Sequence, residues 1–155
     1  MPFSFSIQHP LSRGFVAING TSAFAQPVVD LRTLSNPVDA ELYVDAIKFG
    51  RRVVATPAIQ TLGPHEVQPG AQIVADDDLR EYTRSVAGTM FHPAGTCAMM
   101  PRRLGGVVDA RLRVHGVDNL RIVDASIMPI IVASHLQSTV YAIAEKAADM
   151  LKEDR

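Results

Sequence analysis

The stretch FHPAGTCAMM, residues 91–100, decides how this sequence is read. A histidine stands directly before a proline, and a Gly-Thr turn follows. Pro93 confines the backbone of His92 to extended conformations. Gly95 and Thr96 permit a tight turn just behind it. The residues TMFH, 89–92, read as a short strand that delivers His92 at its end. A general base needs that kind of positioning, and imidazole is suited to proton transfer near neutral pH. On the pattern alone, a capped turn histidine is the other reading.

A second histidine stands in ASHLQSTVYAIAEKAADML, residues 133–151. Ser134 and Gln137 have the spacing of a capping box, so the helix is expected to open at Ser134. His135 then falls at its first position. Free N–H groups of Leu136, Gln137 and their neighbours would point out of that end, where they can stabilise negative charge. Val140, Ala144, Ala147 and Leu151 are expected to form the buried stripe. An ordinary capping segment is the alternative.

The remaining histidines carry weaker signals. His65 lies in the Pro/Gly-rich loop LGPHEVQPGAQI, and His9 and His115 sit at turns, where structural or surface roles are expected. Cys97 is the only cysteine, so no internal disulfide forms, and its small-residue setting reads as packing. One thiol and scattered histidines do not suggest a metal site.

The chain has 155 residues, of which 47% are hydrophobic, enough for a folded core. A net charge of -1 with dispersed Lys and Arg argues against nucleic acid or an anionic membrane as partner. No apolar run is long enough to span a bilayer. The start lacks a signal-peptide pattern, so a cytoplasmic location is the default expectation.

Along the chain, GFVAIN and PVVDLRTL read as short strands. Pro37 opens a helix on which Leu42, Ala46, Phe49 and Val53 recur at helical spacing, and Thr56-Pro57 closes it. Asp76 is the expected N-cap of a helix over residues 77–87, with Leu79, Tyr82 and Val86 on one side. Residues 101–129 alternate short β runs with Gly turns. There is no βαβ alternation and no G-x-G-x-x-G loop, so these residues carry no dinucleotide fingerprint.

Three segments together resemble the C-terminal part of the glucose–methanol–choline (GMC) oxidoreductases. They are HPLSRGFVAI (9–18), FHPAGTCAMMPRRLGGVVDARLRVHGVDNLRIVDASIMP (91–129) and ASHLQSTVYAIAEKAADML (133–151), in order and over nearly the whole chain. The resemblance implies an α+β fold, an antiparallel sheet with helices on one face. Residues 1–118 would be the substrate domain. Residues 119–155, a strand over LRIVDASIMP and the last helix, would complete the FAD-binding domain, whose N-terminal Rossmann-like part is absent from this sequence.

The resemblance also implies a site. His92 matches the catalytic base, and His135 the second active-site position, as in the two-histidine type similar to aryl-alcohol oxidase and glucose oxidase. The backbone of Asp124 and Ala125 and the helix start at Leu136 and Gln137 would contact FAD. The implied reaction is oxidation of a small-molecule alcohol, primary or benzylic, in a fungal enzyme of secondary metabolism. A separate chain or a homo-oligomer would supply the missing flavin fold. Two readings stand beside it. One is a truncated stand-alone protein using the histidine pair for cofactor-free acid/base chemistry, as an isomerase, dehydratase or cyclase. The other is an inactive remnant.

Overall fold

Asn36-Pro37 starts the longest helix for two physical reasons. The Asn36 side chain accepts the N–H of Val38 at 3.0 Å, and Pro37 is pre-set for the first helical turn. This helix, α1, runs Pro37–Val54 in the computed structural model, which describes residues 4–154. Two short strands precede it, β1 (Phe15–Ala17) and β2 (Val28–Asp30). They pair antiparallel, Val16 opposite Val29, and every residue of both is exposed. Helices α2 (Pro57–Gln60) and α3 (Asp76–Val86) follow. The chain separates into two compact units, the first ending at Gly88 and the second starting at Thr89.

In the first unit α1 packs against α3. Ala40, Val44 and Leu79 are buried there, and Arg80 on α3 reaches Glu41 on α1 at 2.5 Å. The α1 stripe expected from the sequence was rotated, because Leu42 and Phe49 are exposed. The helix carries apolar residues on more than one face, and its partner chooses Ala40 and Val44. Asp39, in the first turn of α1, is 2% exposed. It accepts the N–H groups of Leu11 and Ser12 at 2.8 and 2.7 Å and the Ser12 hydroxyl at 2.5 Å. Burial would raise its pKa. The bonds from Leu11 and Ser12 and the charge of Arg13 outweigh that and hold the carboxyl below its ordinary value. Arg51 clamps the Pro/Gly-rich loop by pairing with Glu66 at 2.7 Å and donating to the carbonyls of Gly70 and Ile73.

The second unit is built around α4, Gln137–Glu153. Val108, Leu112, Ile127 and Ala147 form its core, with Val107, Val114, Ile122, Ile143 and Met150 packed on them. Of the expected stripe on α4, Ala147 is buried and Val140 half-buried, while Ala144 and Leu151 face outward. Residues 99–121 make isolated bridges rather than strands: Met99 with Val108, Val108 with Val114, and Arg113 with Arg121.

Several sequence expectations are corrected here. Asp76 lies in the first turn of α3, and Ala75 holds the N-cap position. The sheet among the described residues has two strands, both exposed. LRIVDASIMP is not a strand. The Asp124 carboxylate accepts the Ser126 N–H at 2.7 Å and turns the chain into a 3-10 turn over Ala125–Ile127. TMFH is not a strand either, since Phe91 sits at φ +59°. Among the described residues, no helix is long and apolar enough to cross a membrane.

Candidate active site

His92 is held by the segment behind it. The N–H groups of Gly95, Cys97 and Met99 donate to the carbonyls of Ala125, Ser126 and Ile127 at 3.4, 2.9 and 2.8 Å. Alternate residues of one segment are thereby fixed onto consecutive residues of the 3-10 turn. Gly95 makes this possible. Its φ is +86°, and a Cβ there would lie 3.2 Å from the Met128 carbonyl. Ahead of the histidine, Phe91 adopts a left-handed backbone that is rare for an aromatic residue, and its N–H donates to the Thr89 hydroxyl at 2.9 Å.

His135 comes from the other side, just before α4. The helix opens at Gln137 with Leu136 as its N-cap, so the expected capping box does not form. The Ser134 hydroxyl donates instead to the His135 carbonyl at 3.3 Å. No side chain caps this end. The first backward bond of the helix runs from the Val140 N–H to the Leu136 carbonyl, at 2.9 Å. The N–H groups of Gln137, Ser138 and Thr139 therefore precede the hydrogen-bonded ladder and give the helix tip its positive end.

The two rings meet. His92 Nε2 lies 3.0 Å from His135 Nδ1, with ring centroids 5.2 Å apart and planes at 64°. One nitrogen must donate and the other accept, so at least one ring is neutral in this arrangement. His92 is half-buried and His135 exposed. Both face a cavity of about 590 Å³ lined also by Phe91, Pro93, Ala125, Leu136, Gln137, Val140 and Tyr141. Its wall is mostly apolar, with the two imidazoles as its convergent polar point. Such a site can orient a hydroxyl group and remove its proton.

Among the residues singled out for the site from sequence, His92, His135, Ala125, Leu136 and Gln137 all line this cavity. Asp124 does not; its carboxylate is turned onto the Ser126 N–H. Phe91, Pro93, Val140 and Tyr141 were not anticipated as lining residues. Helical spacing could have found Tyr141, which stands one turn after Gln137 on the same face. His115 has a structural role, its Nε2 bonding the Met100 carbonyl at 3.0 Å. Cys97 is partly buried.

A family model described as GMC oxidoreductase matches residues 10–144. A dehydrogenase of Armillaria gallica is 47% identical over 94% of this chain and 23% of its own length. An oxygen-dependent choline dehydrogenase of Escherichia coli is 40% identical over 91% of this chain and 25% of its own. Among solved structures, a fungal aryl-alcohol oxidase superposes with a TM-score of 0.84 at 42% identity, covering 95% of this chain and 24% of that one. An FAD-dependent oxidoreductase from Chaetomium thermophilum gives 0.90 at 36% identity, covering 95% and 26%. The chain spans about a quarter of the length of these relatives. The match over residues 10–144 and the shared fold place the chain in the GMC oxidoreductase family.

Proposed function

We propose that this chain is the C-terminal, substrate-side portion of an FAD-dependent alcohol oxidoreductase, with His92 as its base. The convergence of His92 Nε2 and His135 Nδ1 at 3.0 Å carries the reading. In it, residues 1–118 serve the substrate and residues 119–155 complete the flavin side, so the base and its partner histidine come from different parts.

The residues present fit the reacting end of a flavin. An uncapped helix tip borders the cavity and offers donors to an electron-rich carbonyl edge. The buried Ser126 hydroxyl, beside the cavity-lining Ala125, has no hydrogen-bond partner. For the ADP half of the cofactor this sequence offers no Gly-rich loop. That half would be held by residues outside these 155.

A bound flavin supplies the acceptor for hydride leaving the alcohol carbon. This chain's own residues do the rest. A substrate hydroxyl enters between the two imidazoles and replaces their mutual hydrogen bond. His92 Nε2 accepts the hydroxyl proton, and His135 donates to the same oxygen and holds its lone pairs in place. The α4 N–H groups favour negative charge at the cavity floor. Phe91, Pro93, Leu136 and Val140 make the wall around the pair apolar. The fungal aryl-alcohol oxidase likeness favours a primary, aryl-substituted alcohol as substrate.

A second reading, in which the same pair moves protons without a cofactor, rests on the direct contact of the two imidazoles. The visible spectrum of the purified chain with added FAD separates the two. Bound flavin bleached by benzyl alcohol, with His92→Ala slowing the bleaching ~10²–10⁴-fold and leaving flavin binding intact, is the expected result. No bound flavin under any condition, with proton exchange at a substrate that depends on His92, would replace the redox reading.

A further inference from the structure

We propose that Tyr141 is a ring-stacking residue of this site, one that holds a planar aromatic group against the histidine pair. The inference rests on the flavin–alcohol reading above and goes one step further, by assigning a role to a residue outside the histidine pair and the helix tip.

The face of α4 that meets the core presents Ile143, Ala147 and Met150. Tyr141, in the second turn of the helix, points elsewhere and is 65% exposed. No aromatic ring among the described residues stacks on it. What it does touch is empty space of the right kind. Tyr141 lines the cavity that holds both histidines, and also an adjoining one of about 360 Å³ whose other lining residues are His135, Gln137 and Ser138. His135, Gln137 and Tyr141 are common to both. The ring therefore stands at the junction of two spaces, one turn along the helix from the donor groups at its tip.

A flat ligand spanning that junction would meet three things at once: the N–H groups of the helix tip at its edge, the imidazoles on one side, and the phenol face of Tyr141. Aromatic side chains gain from offset stacking beyond what area alone gives, and the phenol ring brings a large face with few rotatable bonds. The ligand class is thus a planar conjugated ring. Two sources share that chemistry, the isoalloxazine of a flavin and the ring of an aryl alcohol.

The test uses the full chain, with riboflavin and benzyl alcohol as separate probes. Riboflavin carries the ring without the ADP half, and its fluorescence is quenched when a phenol stacks on it. Because Tyr141 is exposed, Tyr141→Leu and Tyr141→Phe leave the core of the unit untouched. If riboflavin is the ring, Tyr141→Leu weakens its binding ~3–10-fold and restores its fluorescence, while Tyr141→Phe binds within ~2-fold of the parent. If the ring belongs to the substrate, the same pattern appears with benzyl alcohol and riboflavin affinity is unchanged. Binding of either probe by the parent chain with no loss in Tyr141→Leu overturns the stacking role and leaves the flavin–alcohol reading standing. Binding of neither probe by the parent chain removes that reading, and the stacking role with it.

Discussion

Replacing Asp39 should unfasten the start of the chain from α1, and the cost can be worked out from the hydrogen bonds it accepts. The carboxylate takes two backbone N–H groups and one hydroxyl, at 2.5 to 2.8 Å, from residues that precede it by 27 and 28 positions. The Ser12 hydroxyl in turn accepts the Asn36 N–H at 3.0 Å, so the network reaches the residue that caps α1. In Asp39→Ala the Leu11 N–H, on an exposed residue, can turn to water. The two Ser12 bonds are lost without replacement. At ~1.5 kcal/mol each, the low end for bonds to a charged acceptor, the loss is about 3 kcal/mol. With a urea slope of ~2 kcal/mol/M, the midpoint falls by ~1.5 M. Asp39→Asn keeps one acceptor oxygen and should lose about half as much. The sign of the pH dependence follows from the depressed pKa. The charged form contributes stability above the unfolded carboxyl pKa of ~3.9, and that contribution is lost as pH falls through the lower folded value. Urea unfolding followed by far-UV circular dichroism at neutral pH and again at acid pH checks both halves. Equal midpoints for the parent and Asp39→Ala at neutral pH, or a gap that does not narrow in acid, would refute the reasoning.

Two further outcomes are expected. Gly95→Ala places a side chain in a left-handed backbone at φ +86°, and should cost ~1–2 kcal/mol in urea unfolding, with Gly95→Asn losing less because asparagine tolerates that region. An alanine variant as stable as the parent would show that the turn behind His92 does not need glycine. Asp154 receives Arg111, Arg113 and Arg121 at the C-terminal end of α4. The hydrogen bond from Arg113 lowers its pKa most; burial opposes this, and the charges of the three arginines add to it. Asp154→Asn should therefore lower the thermal midpoint most at neutral pH and low salt, with the difference shrinking in high salt and as acid protonates the parent carboxylate. Midpoints equal to the parent at low salt would remove Asp154 from the account of how this helix end is held.

How far the sequence could be read depended on how local each signal was. The start of α1 was legible, since Asn36 and Pro37 act within one turn. The meeting of His92 and His135, 43 residues apart, was expected from the family resemblance and not from any local signal, and the geometry that produces it differs from the one expected. TMFH and LRIVDASIMP have strand-like composition, yet Phe91 and Asp124 turn the chain before a ladder can form. The buried faces of α1 and α4 were mis-phased for one shared reason. Each helix offers two apolar faces, and only the packed neighbour selects between them. Asp39 was missed because its partners lie 27 and 28 residues away, a distance no short motif encodes. Tyr141 lay outside the stripe expected to be buried, and only its place one turn after Gln137 pointed to the cavity.

The bonds that tie residues 95, 97 and 99 to the carbonyls of 125, 126 and 127 are made entirely by backbone. Side-chain identity at those positions does not enter them, apart from the glycine at 95. The frame behind His92 is thus separable from the wall of the cavity. Under the alcohol oxidation proposed above, Phe91, Val140 and Tyr141 are the wall positions to exchange for a wider, narrower or more polar alcohol, while the backbone frame behind His92 stays in place. An architecture of that sort tolerates drift in what it accepts without drift in what it does, and it marks residues 91, 140 and 141 as the first positions to vary when a new substrate is sought.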